Sequence, residues 1–201
     1  MHVQDTISQQ KEFQLKKWVY IKNDFLTKEE CQSLIHLANT NADQTVTFNM
    51  PKQCYHSNYT LDSSPLFFKI KEKIRNAYDD YKAMVNLPQL SATNTLEAPT
   101  LLRYDVGTNF FSPHADSWNM STASRQLSII VYLNNVEKGG ETVFSDGKLN
   151  VYPKQGQLLM FPSSFVFTHE GKPPLSESKF IMVTWIHFDG VGHCYRCHPL
   201  Y

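Results

Sequence analysis

The apolar positions of this chain change period once. Near the start, Trp18-Val19-Tyr20-Ile21 reads as a short strand. Thr27 and, three residues on, Glu30 then form a capping-box pattern, followed by Cys31, Leu34, Ile35, Leu37 and Ala38 at helical spacing, which predicts a first helix. A second helix is predicted from Ser63-Ser64-Pro65, with proline tolerated in the first turn, through Phe67, Ile70, Ile74, Ala77, Tyr78 and Tyr81. Beyond Pro99 the pattern becomes short apolar or alternating runs separated by glycine, proline and asparagine. Strands are predicted at 104–106, 127–133, 142–144, 149–152, 157–161 and 180–188. The implied fold class is mainly β with flanking helices (α+β), an antiparallel two-sheet jelly roll buttressed on one side by the N-terminal helices. Pattern alone does not separate this from another sandwich.

The 201 residues suffice for one full core. We expect a polar N-terminal arm at 1–17, one domain at 18–190 and a C-terminal tail at 191–201. Lysine plus arginine equals aspartate plus glutamate, 19 each, so no global basic field draws in nucleic acid. No apolar run is long enough for a signal peptide or a membrane span, and the expectation is a cytoplasmic protein with no membrane partner. The four cysteines, Cys31, Cys54, Cys194 and Cys197, form no regular disulfide framework. The tail His193-Cys194-Tyr195-Arg196-Cys197-His198 leaves open a zinc site, a reversible disulfide or a silent frayed end. The frayed end is the expectation.

His114-Ala115-Asp116, followed by Thr168-His169 and Lys179, carries the chemistry. Residues two apart on an extended strand face the same way, so His114 and Asp116 can reach one metal, and His169 can complete the set. Two imidazoles and a carboxylate form a facial triad with open positions, which suits non-haem Fe(II). A His-x-Asp step alone is more often a surface hydrogen-bonded pair, so its surroundings decide.

Those surroundings run through Leu101-Leu102-Arg103-Tyr104-Asp105-Val106-Gly107, Arg125 to Phe144 with Gly139-Gly140-Glu141-Thr142, Tyr152-Pro153-Lys154-Gln155-Gly156, Phe161-Pro162, His169, Lys179 and Trp185. This ordered series resembles the prolyl 4-hydroxylase group of iron- and 2-oxoglutarate-dependent dioxygenases, densely from Leu101 to Phe188 and more weakly back through Trp18 to Ala42. The resemblance implies a double-stranded β-helix and a catalytic role for the 18–190 domain. It implies that Fe(II), 2-oxoglutarate and O2 are used, with ascorbate as a supporting reductant, and that 2-oxoglutarate becomes succinate and CO2 while an unactivated C–H bond is hydroxylated.

By the same resemblance Lys179, ten residues after His169, pairs with the distal carboxylate of 2-oxoglutarate. Tyr104 places a hydroxyl on that carboxylate, and Tyr132 lies on the strand lining its pocket. Trp185 stands beside the iron. Trp118 and the Cys54–Tyr59 segment fall where the family forms its substrate rim or mobile loops. Asp116 favours hydroxylation over halogenation, because related halogenases replace this carboxylate with a small residue. The leading substrate is peptidyl proline in a peptide or protein, with a free amino acid or other small molecule as the alternative. A nucleic-acid repair dioxygenase is disfavoured by Lys179 standing where an arginine is expected and by the charge balance. A non-catalytic jelly-roll binding protein would be expected to have lost a ligand or the lysine, and none is lost.

Overall fold

The computed structural model describes residues 15–40, 46–50, 53–61, 64–87, 90, 94–144, 149–188 and 197–200, with the side chains of 46–50, 53–60 and 197 outside that description. The first helix, α1 (Lys28–Thr40), starts where the capping pattern places it. Glu30 N–H donates to Thr27 Oγ1 at 3.2 Å, and Thr27 N–H donates to Glu30 Oε2 at 2.8 Å, so each satisfies an orphan group of the first turn. The same carboxylate takes Lys73 at 2.6 Å and Lys69 at 2.9 Å from the second helix, α2 (Pro65–Val85), so the cap also clamps the two helices together. Ser64 caps α2 by accepting from Phe67 N–H, Pro65 opens it, and Asn86 closes it in the left-handed region at φ 51.

Among the described residues thirteen strands form one antiparallel hydrogen-bonded network. They are β1 (Tyr20–Lys22), β2 (Val46–Met50), β3 (Gln53–Thr60), β4 (Thr95–Glu97), β5 (Thr100–Tyr104), β6 (Phe110–His114), β7 (Arg125–Tyr132), β8 (Thr142–Phe144), β9 (Leu149–Val151), β10 (Leu158–Pro162), β11 (His169–Gly171), β12 (Lys179–His187) and β13 (Cys197–Pro199). The main path runs β1-β10-β7-β12-β5-β3-β6-β11-β8-β9. β3 pairs with β5 through 56–60 and with β6 through 53–54, which carries the ladder from the large sheet to the small one.

Period-two alternation sorts side chains between two cores. On β7, Leu127, Ile129 and Val131 join the layer under the helices, with Phe67, Ile74, Tyr78 and Tyr81, while Ile130 and Tyr132 join an inner core with Phe144 and Phe161. β10 divides in the same way, Leu158 and Met160 outward and Leu159 and Phe161 inward. Because both faces are covered, these strands read as continuous apolar runs. On β12 the inward set is Lys179, Ile181, Val183 and Trp185, all on one cavity wall.

The structure differs from the sequence pattern in several places. The strand expected at 104–106 lies at 100–104, because Asp105 opens a turn whose Gly107 sits at φ 71 and whose Asp105 N–H is taken by Asn109 Oδ1. β3 is a strand where a substrate rim or mobile loop is expected at Cys54–Tyr59. Its mixed polar sequence has no apolar face, and ladder bonds to β5 and β6 settle its conformation, while β2, whose Val46, Phe48 and Met50 alternate with polar residues, pairs with β3. Packing also reaches past the 18–190 limits: Leu15 is buried in the inner core, and β13 pairs with β4 while Leu200 is buried, so 197–200 is not frayed. Cys194 and the side chain of Cys197 lie outside the described residues, as do residues 1–14. Among the described residues no helix is long and apolar enough to cross a membrane.

Candidate metal centre

Three side chains converge at the open end of the small sheet. His114 closes β6, His169 opens β11, and the two are direct partners in the antiparallel ladder. Their ring centroids lie 4.4 Å apart. The strand ends at His114, so Asp116 is not on an extended stretch as the sequence suggests; it sits in the bend that follows. The bend still returns its carboxylate to the histidines, with Oδ1 3.4 Å from His114 Nε2 and Oδ2 3.9 Å from His169 Nε2. One ligand atom from each residue falls within 4.8 Å of the others.

The donor chemistry fits a divalent metal. His114 Nδ1 bonds the Ser112 carbonyl at 2.8 Å and His169 Nδ1 bonds the Phe167 carbonyl at 3.1 Å. A carbonyl only accepts, so each Nδ1 carries the proton and each Nε2 presents its lone pair. Burial pushes the His169 pKa down to about 4, outweighing the opposing pull of Asp116, and keeps that imidazole neutral. Burial alone would raise the Asp116 carboxyl, but His114, His169 and the Ser128 hydroxyl outweigh it and hold the group well below the usual carboxylate range. Two imidazoles aimed by their Nδ1 bonds and one ionised carboxylate, with room beside them, match the facial set that suits Fe(II).

The triad opens into a cavity of about 820 Å³. At its inner end Lys179 is 2% exposed, with Nζ donating to the Gly140 carbonyl at 3.0 Å and lying 4.3 Å from the Tyr104 ring centroid. Burial lowers its pKa to about 7, opposed by Glu141. Gly140, whose carbonyl takes the lysine, sits at φ 73, a conformation that side-chain-bearing residues rarely adopt. Tyr104 faces Lys179 across the β5–β12 ladder and lines the cavity. Tyr132 does not reach the wall; its buried hydroxyl bonds Thr142 Oγ1 at 2.7 Å, and Thr142 is the lining residue.

Trp185 and Trp118 both line the outer part, Trp118 at 74% exposure on the rim. Two residues passed over in the sequence join them. Arg125 stacks 3.5 Å above the Trp185 ring and makes a forked pair with Glu97, Nε to Oε2 at 3.2 Å and Nη2 to Oε1 at 3.1 Å. His187 Nε2 bonds the same Glu97 at 2.9 Å. The Trp185 ring lines the cavity, and its Nε1–H is buried without an acceptor among the described residues. Nothing local in the sequence marks Glu97, but Ser128, a hydroxyl inside the apolar run 127–133, is a legible irregularity.

Residues 99–187 match the family model described as the 2OG-Fe(II) oxygenase superfamily. The "Probable prolyl 4-hydroxylase 9" of Arabidopsis thaliana is 27% identical over 206 residues, covering 87% of this chain and 71% of the relative. "Prolyl 4-hydroxylase 2" of the same plant is 27% identical, covering 90% and 71%. Among solved structures, the viral collagen prolyl hydroxylase of Paramecium Bursaria Chlorella virus-1, crystallised as a 2OG complex, superposes with a TM-score of 0.65 at 23% identity, covering 84% of this chain and 95% of that one. A Trichoplax adhaerens prolyl hydroxylase in complex with a hypoxia inducible factor peptide gives 0.66 at 15% identity, covering 90% and 89%. These two structures share the jelly-roll fold.

Proposed function

We propose that the chain is a prolyl 4-hydroxylase-like 2OG-Fe(II) oxygenase that hydroxylates proline within a polypeptide. His114, Asp116 and His169 hold Fe(II), and Lys179 with Tyr104 receives the distal carboxylate of 2-oxoglutarate. With iron, 2-oxoglutarate and O2 bound, the site supplies the oxidative chemistry that hydroxylates an unactivated C–H bond as the cosubstrate becomes succinate and CO2. The observation that carries this reading is one cavity lined both by the three converging ligands and by the buried lysine. Each alone has ordinary explanations, and together they match what a metal-chelated diacid requires.

The chain's own residues divide the work. The two carbonyl-bonded imidazoles keep Nε2 aimed at the metal. Lys179 supplies a desolvated cation, which selects a diacid because a monoacid would leave that charge unpaired. Thr142 adds a hydroxyl to the same wall. The Arg125–Trp185 stack forms the side toward solvent.

Iron-loaded protein incubated with 2-oxoglutarate, O2 and a panel of proline peptides, free proline and other amino acids tests the proposal through substrate-dependent succinate and mass spectrometry of the product. Peptide-dependent turnover with hydroxyproline is expected. Turnover on free amino acids matching or exceeding that on every peptide would transfer the assignment to a small-molecule hydroxylase.

A further inference from the structure

We infer that Ser128, backed by Ser163, is the positioning residue that fixes the Asp116 carboxylate as a metal ligand, an inference that rests on the iron reading of the triad. Each imidazole has an outer partner on its second nitrogen, the Ser112 and Phe167 carbonyls. Asp116 needs one more than they do, because it lies past the last residue of β6 and no ladder bond fixes it.

Ser128 Oγ donates to Asp116 Oδ2 at 2.5 Å, and Ser163 Oγ lies 2.9 Å from Ser128 Oγ. An ionised carboxylate only accepts, so the single Ser128 proton is committed to Asp116. Ser163 must therefore donate to Ser128, which gives a directed chain from Ser163 to Ser128 to Asp116 whose members polarise one another. Both serines are 1% exposed, and each faces the other rather than water. Oδ2 is thereby engaged, and Oδ1 lies 3.4 Å from His114 Nε2, on the side of the metal ligands.

Ser163 holds the backbone as well. Its carbonyl accepts from Ser117 N–H at 2.9 Å, and its own N–H donates to the Gln126 carbonyl at 3.1 Å. The bend carrying Asp116 is thus tied to β7 through one residue, once by main chain and once by side chain. A hydroxyl chain inside a strand that is otherwise apolar on this stretch has a clear purpose if the ligand's orientation depends on it.

The test is Co(II) affinity, read from visible absorption of the bound ion, beside thermal melting of the metal-free protein. Ser128→Ala should bind Co(II) about 10–100-fold more weakly with cooperative melting retained. Ser163→Ala should lose less, and Ser128→Thr, which keeps the hydroxyl, should stay near wild type. Under turnover Ser128→Ala should also release more succinate per hydroxylated product. Wild-type Co(II) affinity in folded Ser128→Ala overturns the inference. If Ser128→Ala does not melt cooperatively, Ser163→Ala decides, and unchanged affinity there overturns it equally. A wild type that binds no Co(II) sinks the iron reading itself, an outcome distinct from failure of the serine pair.

Discussion

His169 sits directly opposite His114 across the β6–β11 ladder, and the two imidazoles lie 4.4 Å apart between ring centroids. Strand register alone therefore brings together two ligands that are 55 positions apart in sequence. Replacing His169 by alanine removes one ligand without touching the ladder. Fe(II) affinity should fall by more than the about 10–100-fold that loss of an outer partner costs, with no measurable turnover. Full activity in this variant would refute the triad.

Asp116→Ala should abolish hydroxylation by opening one side of the metal site, while wild type in chloride buffer should yield no chlorinated product. Mass spectrometry of both reactions decides the point. A chlorinated product from wild type would contradict the hydroxylase reading.

Lys179→Ala should raise the apparent KM for 2-oxoglutarate roughly tenfold or more, since a charge-assisted bond is lost and a carboxylate is stranded. Wild type should also depend on pH. Burial holds the Lys179 pKa at about 7, far below its ordinary 10.5, so the free protein carries the ammonium below about 7 and loses it above. Above that pH, 2-oxoglutarate must bind with proton uptake, and its KM should climb by up to about tenfold per pH unit. A flat profile from pH 6 to 9 would show that burial does not bring the Lys179 pKa into this range, and the Lys179→Ala effect on KM then decides the contact.

Arg125→Ala should raise the KM for the peptide roughly tenfold and leave that for 2-oxoglutarate nearly unchanged, because Arg125 stacks on Trp185 at the outer wall while Lys179 stands at the inner end. Arg125→Lys should not rescue it, since a lysine cannot reproduce the forked pair with Glu97. Equal effects on both constants would place Arg125 in the cosubstrate site.

Glu30→Ala should lower stability by about 2 kcal/mol, removing a capping-box acceptor and stranding Lys73. Burial raises the Glu30 carboxyl, but Lys73, Lys69 and the Thr27 N–H bring it to about 2, against an ordinary 4.5. A depressed folded-state pKa stabilises above about 4.5 and loses that contribution as pH falls toward 2. Melting of wild type and Glu30→Gln at pH 7 and pH 3 should show the smaller drop in the variant.

Much of the fold is legible along the chain. The Thr27–Glu30 box, the Ser64-Pro65 start and the apolar runs on β7, β10 and β12 announce themselves because capping and covered strands are local or periodic properties. β3 and β6 are less so, since their mixed sequences take strand form from the neighbours they pair with. Lys179 is legible through its offset from His169, and Tyr132 marks the limit of that kind of reading. Offset puts Tyr132 on the right strand, and packing then turns its hydroxyl to Thr142.

The sequence by itself determined which residue types are present for chemistry: two histidines, one carboxylate and one lysine in a fixed order. Only the tertiary structure decided that they meet. Ladder register sets His169 against His114, a bend rather than a strand returns Asp116, and burial on all sides strips Lys179 of water. The contacts of the Glu97–Arg125–Trp185 cluster and of the Ser163–Ser128–Asp116 chain belong to that second class. Their members come from separate strands and bends, and hydrogen bonds between distant segments depend on distance and direction in space, which spacing along a chain does not encode.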